Sequence, residues 1–162
     1  MRKVALVMVL SVSLIAIAAR AAAPSPQGSN VYRTYTNARF SYSIAYPANL
    51  LIAQGESENG DGQAFHSRDG RAEMRVWGQH NVNDESLRAS FARTVSEWGD
   101  GVSYKVIKSD WFVVTALVNG KIHYQRTMLH RGVFKTLLIE YDEGQRAIYD
   151  PVTARISKSF AG

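Results

Sequence analysis

The chain has 162 residues, 46% of them hydrophobic and 20% charged, with a formal net charge of +5 and no cysteine. Without cysteine there can be no disulfide, no thiol nucleophile and no thiolate-ligated zinc. The positive excess is not a nucleic-acid footprint, because Arg2, Lys3 and Arg20 belong to an N-terminal segment of a different kind.

That segment opens on Arg2-Lys3 and runs from Val4 to Ala19 without a charge. Its apolar tract fits a signal-peptide core and falls short of the roughly 20 residues of a membrane span. Small residues crowd at 19–23, where a cut after Ala21 obeys the small-x-small rule and a cut after Ala23 would leave Pro24 just beyond it. Residues 1–21 are therefore expected to leave as a secretory signal; the competing expectation is an uncleaved anchor. The remaining 141 residues carry 16 basic against 14 acidic side chains, net +2, and all 17 aromatic residues. This mature chain is predicted to be periplasmic or secreted, with no membrane span and no nucleic-acid partner. Residues 22–30, small, polar and rich in Pro and Gly, read as a flexible lead-in, and 31–162 as one domain.

Phe40, Tyr42, Ile44 and Tyr46 alternate with small residues, which predicts a strand over 40–46 that Pro47 ends. The polar run 54–62 reads as a loop. Strands over 63–67 and 72–78 flank Arg68-Asp69-Gly70-Arg71, a hairpin signal. Asn83 or Asp84 is expected to cap a helix with the apolar stripe Leu87, Phe91, Val95 and Trp98, closed by Gly99 and Gly101. Strands follow over 102–108, 111–118, 121–129 and 133–141, with Asn119-Gly120 turning the second into the third. In 111–118 both alternating sets are apolar, which predicts a central strand covered on both faces. Asp150-Pro151 is expected to open a last helix as cap and first residue, burying Val152, Ile156 and Phe160. Linked hairpins with helices at separated points predict an α+β fold, an antiparallel sheet flanked by helices.

The Phe-x-x-x-Ile-x-Tyr-Pro strand at 40–47, the Asn-Gly-Asp-Gly-x-x-Phe segment at 59–65 and the Ser-Phe pair at 159–160 resemble the PsbP-like superfamily, in particular its exported, mostly uncharacterised bacterial members. The resemblance spans roughly residues 35–160. It implies an α/β/α sandwich around an antiparallel sheet, and a binding or accessory role rather than catalysis. The matching positions are core and turn residues, so no functional residue carries over.

Chemistry-bearing motifs are few. Ser57 to Gly62 has the look of a calcium loop, but Ser57 is a poor first ligand and Arg68 stands where a bidentate Glu belongs, so a glycine turn is expected. His66, His80, His123 and His130 lack metal-ligand spacing and read as surface or loop-end residues. Asp84-Glu85 fits a helix start better than a catalytic carboxylate pair. Neither a G-x-S-x-G elbow nor a Gly-rich phosphate loop is present.

Polar groups borne on strands are more informative. Glu73, Arg75 and Trp77 share one strand face, and Ile122, Tyr124, Arg126 and Met128 another. An Arg on such a face must reach the rim or find a partner, and Glu140 is available. Arg75, Trp77, Tyr124 and Arg126 form the candidate surface for a ligand or partner, where Arg and aromatic residues are enriched. The expected function is a non-catalytic binding or accessory protein of the envelope, taking a protein partner or small ligand, with no cofactor and no metal. The alternatives are an immunity-type inhibitor of an envelope toxin, and an exported hydrolase with a dispersed site drawn from His66, His123 and Asp61.

Overall fold

The computed structural model describes residues 29–162, so the expected signal peptide and most of the lead-in lie outside the described residues. A two-stranded ribbon, β1 (Tyr32–Asn37) and β2 (Tyr42–Pro47), comes first. Then come β3 (Ile52–Glu56), β4 (Gly62–His66) and β5 (Ala72–His80), helix α1 (Leu87–Trp98), and strands β6 (Val102–Ile107), β7 (Trp111–Val118), β8 (Lys121–His130) and β9 (Val133–Asp142). Helix α2 (Arg146–Ser159) follows. Strands β3 to β9 make one antiparallel sheet in the order β3-β4-β5-β9-β8-β7-β6. All its neighbours but β5 and β9 are consecutive hairpin partners, so most pairing is local and a single long-range pairing joins the two halves.

The predicted fold class stands: helices lie on both faces of an antiparallel sheet. On one face Phe65, Met74, Val76, Leu137 and Ile139 are buried beneath α2 and the ribbon, which contributes Tyr35, Phe40, Tyr42 and Ile44. On the other, Phe112 and Val114 are buried against Leu87, Phe91, Val95 and Trp98 of α1, at the predicted helical spacing. The helices are offset. Helix α1 packs on β6 and β7, whereas α2 packs on β9 and on β2 of the ribbon. Each face of the sheet therefore keeps an area that no helix covers.

Four expectations need correction. Helix α1 is capped by Ser86, whose hydroxyl accepts from Ala89 N, and not by Asn83 or Asp84. Asn81 takes up Glu85 N instead, and Asp84 turns the chain with φ of 49°. Helix α2 begins at Arg146, one turn before Asp150, with Pro151 inside it. A 3₁₀ turn at Glu143–Gln145 leads into α2, and Asp150 accepts a 2.5 Å bond from the Tyr141 hydroxyl instead of capping the helix. Part of the expected loop 54–62 is strand β3, all five residues of which are exposed. Finally, β7 is the last strand but one, covered by α1 on one face only, and the central strand is β9.

Burial sets a pH response. Desolvation pushes the phenols of Tyr35, Tyr42, Tyr124, Tyr141 and Tyr149 above the ordinary tyrosine value, and for Tyr141 the bond to Asp150 adds to it. The unfolded chain releases these protons near pH ~10 while the native one holds them. Stability is thus fully present below that pH and lost as pH rises past it. Lys135 works the other way: burial lowers its ammonium, so its contribution rises as pH climbs toward the unfolded lysine value. With five phenols against one lysine, we expect cooperative unfolding above pH ~10. Phenolate absorbance should lag and then rise together with loss of circular dichroism. Titration of all eight tyrosines near pH ~10 with the fold intact would contradict it.

Candidate functional site

Alternation along a strand fixes which face a side chain takes, and register across the sheet then decides which residues meet. Trp77 pairs with Thr136 of β9, which pairs with Thr127 of β8, which pairs with Phe112 of β7. This row lies on the α1 face. One step along, Arg75 pairs with Leu138 and Leu138 with Gln125; the next row is Glu73, Glu140 and His123. Tyr124 and Arg126 project from the opposite face, in register with Ile139 and Leu137 of the main core.

The four candidate residues are therefore split between two faces. Arg75 and Trp77 stand on the α1 face, in the quarter α1 leaves uncovered. Tyr124 and Arg126 reach the C-terminal end of α2. The Tyr124 hydroxyl lies 2.6 Å from Ser157 Oγ, and Arg126 Nη1 donates to the Ser157 carbonyl at 2.6 Å. That carbonyl belongs to the last turn of a helix, where a cation and a donor are both favourable. The Arg126 guanidinium also sits 5.2 Å from the centroid of the Trp111 ring. These contacts hold α2 in place.

On the open quarter a ladder of charged side chains and imidazoles crosses four adjacent strands. Glu140 takes Arg75 Nη2 on one oxygen at 2.8 Å and His123 Nδ1 on the other at 3.0 Å. Arg75 Nε meets Glu73 at 3.0 Å, and His66 lies 3.9 Å from the same carboxylate. The expected Arg–Glu140 pairing is thus made, by Arg75. His123 departs from its surface reading: it sits mid-strand, 17% exposed, with its ring 5.6 Å from that of Trp98. Arg75 itself is 48% exposed. An ion pair as open as Arg75–Glu73 contributes about 0–1 kcal/mol, so folding does not require Arg75, whereas His123 and Glu140 lie deeper.

Trp77 separates two clefts on this face. One, of about 350 Å³, is bounded by Arg75, Ala64, Gly62 and the β3–β4 turn. That turn is self-contained: Ser57 Oγ bonds Asp61 Oδ1 at 2.5 Å, and Asn59 Nδ2 donates to Asp61 Oδ2 at 2.9 Å, so both oxygens of Asp61 are engaged within it. The other cleft, of about 220 Å³, lies between α1 and β8–β9 and is lined mostly by hydroxyl and amide groups. Sequence reading found neither His123–Glu140 nor this second cleft. Both depend on the β5–β9–β8 register, for which no local motif codes.

No family model and no curated protein sequence matches the chain. Among solved structures it is similar to the solution structure of cyanobacterial PsbP (CyanoP) from Synechocystis sp. PCC 6803. The identity is 14% and the TM-score 0.61, over 86% of this chain and 96% of that one. A crystal structure from Bacteroides thetaiotaomicron VPI-5482 aligns at 12% identity with a TM-score of 0.46, over 75% of this chain and 44% of that one. The likeness to CyanoP covers most of both chains, and it establishes that this chain has the PsbP-like fold.

Proposed function

We propose that the protein is an exported, non-catalytic binding or accessory protein of the cell envelope, periplasmic or secreted after cleavage behind Ala21. Its docking surface is the open quarter of the α1 face. The observation that carries this reading is the uncovered quarter itself, where Trp77 stands beside Arg75, whose half-exposed ion pairs stability does not require. Charged and aromatic groups in that setting suit a protein partner.

The test uses the full chain with a C-terminal tag, crosslinked in the envelope fraction, with retained proteins identified by mass spectrometry. One dominant partner is expected on the wild type, and it should be lost from an Arg75→Glu, Trp77→Ala variant that circular dichroism shows to be folded. Arg126→Ala should behave oppositely, retaining the partner while melting at lower temperature. A partner that survives the double substitution, or no partner above background, would overturn the assignment. The partner's identity also decides the inhibitor alternative, since a toxin would identify it. N-terminal sequencing of the same material reads the cleavage point.

One observation favours a second reading, the hydrolase. His123 and Glu140 have the geometry of a base and its orienting carboxylate. Among the described residues, however, no Ser or Thr hydroxyl is hydrogen-bonded to His123. Hydrolysis abolished by His123→Ala would establish it.

A further inference from the structure

Helix α1 carries two inward stripes of different chemistry. Leu87, Phe91, Val95 and Trp98 pack on β6 and β7 in the ordinary apolar way. Beside them Ser90 and Thr94, 6% and 2% exposed, face β8 and β9, where Thr127 and Thr136 are buried to 2% and 5%. Between these hydroxyls lies the 220 Å³ cleft. A helix–sheet interface built only for stability would fill this space with apolar side chains.

The polar groups are only partly satisfied by one another. Gln125 Nε2 donates to Thr127 Oγ1 at 3.1 Å and to Thr94 Oγ1 at 3.3 Å, while Thr94 donates to the Ser90 carbonyl at 3.2 Å. Thr127 and Thr136 share one bond of 3.1 Å, so one of their two hydroxyl protons is left over. Among the described residues no group donates to Gln125 Oε1. Among the described residues the Ser90 hydroxyl meets only Arg93, at a long 3.4 Å. The cleft thus presents spare donors and a spare amide acceptor side by side.

Three ligand classes can be separated. An ion at the inner end would be stripped of water without a counter-charge, because the hydroxyl and amide walls are neutral; the two charged residues of the cleft, Arg93 and Glu97, stand at its exposed mouth, where Arg93 is held by Glu85 at 3.1 Å and lies 3.9 Å from Glu97. An apolar ligand would leave the hydroxyls unmatched. A neutral polyol offers groups that both donate and accept, and its carbon face suits Trp77 and Phe134, which border the same cleft. The volume is below the roughly 300–1,000 Å³ of sites for drug-sized ligands, so it admits a single ring. We infer that the cleft beneath α1 is a binding site for a neutral, polyhydroxylated ring of monosaccharide size. This site is independent of the protein-docking reading, although Trp77 borders both surfaces.

The experiment is an NMR titration of the ¹⁵N-labelled, exported protein with D-glucose, D-galactose and N-acetylglucosamine, and with glutamate and indole as charged and apolar probes. At least one sugar should give saturable shifts confined to Trp77, residues 90–97 and residues 125–136. Thr136→Val and Gln125→Leu should each weaken it about tenfold or more, the scale expected for a lost buried hydrogen bond, with melting temperature held or raised. Arg75→Glu should leave sugar binding unchanged, which keeps failure of this site distinct from failure of the docking surface. No saturable shift with any of the three sugars, affinity undiminished in both cleft variants, or saturation by glutamate or indole instead would overturn the inference.

Discussion

Replacing Phe65 with alanine is expected to cost about 3–5 kcal/mol and to release the β1–β2 ribbon before the rest of the fold. Phe65 is 0% exposed and stands at the centre of an aromatic group, its ring 4.6 Å from that of Tyr46 and 6.1 Å from that of Tyr35. The ribbon is a separate two-stranded sheet, and such a hairpin alone is marginal in water. Polar stitches also hold it: Asn37 Nδ2 donates to the Gly60 carbonyl at 2.9 Å, Ala45 N to Ser159 Oγ at 2.9 Å, and Ser43 N to the Ala161 carbonyl at 2.9 Å. Each contributes only about 0.5–1.5 kcal/mol net, less than the side chain removed. Against a total stability of about 5–15 kcal/mol, the loss leaves the protein marginal. Urea unfolding measures the cost, and native-state hydrogen exchange should show the amides of residues 32–47 opening at lower free energy than those of β9. Ribbon protection unchanged in the variant would mean that the polar stitches hold it.

The sequence disclosed most where structure is local. Asp69-Gly70 and Asn119-Gly120 turn the chain as their residue types require, Gly70, Asn119 and Gly120 all having positive φ. The apolar periodicities of β2, α1 and α2 mark their buried faces. What stayed hidden was decided at a distance. Strand β3 has no buried residue, so no alternation betrays it, and it exists because β4 offers a free edge. Pro151 resembles a helix start, yet the helix begins a turn earlier because Tyr149 packs on Tyr141, their rings 5.4 Å apart, and draws that turn onto the sheet. Strand β7 reads as doubly covered, but nothing local reports which helix lies over which strand. The candidate site shows the same limit. Alternation correctly grouped Arg75 with Trp77 and Tyr124 with Arg126, but whether the two pairs share a face depends on β5 joining β9, residues some 65 positions apart in sequence.

Gly62→Ala is expected to destabilise by about 3 kcal/mol or more, the upper end of what overpacking costs, although alanine is the smallest side chain that could be added. Gly62 opens β4 opposite Trp77 of β5. A β-carbon there would lie 2.7 Å from Trp77 Cα and 2.8 Å from Trp77 Cβ, and would also press on the Val76 carbonyl oxygen. These are backbone or backbone-proximal atoms, which no rotamer change can move aside. Nor can β4 shift away freely, because the adjoining Asp61 carbonyl accepts Gly78 N at 2.9 Å and the Tyr42 hydroxyl at 3.0 Å. Two residues away, Gly60 provides the contrast. It has φ of 66° and open space around the missing β-carbon, so Gly60→Ala adds only the left-handed strain of about 1–2 kcal/mol. Urea unfolding of the two variants therefore separates lack of room from lack of conformational freedom, and Gly62→Ala should be the more damaging. It should also alter Trp77 fluorescence and weaken whatever docks beside Arg75, since the strand that carries both residues must give way. If the two variants proved equally stable, β4 would be able to bulge away from β5, and the close approach that sets the wall of the larger cleft would not be a constraint on the fold.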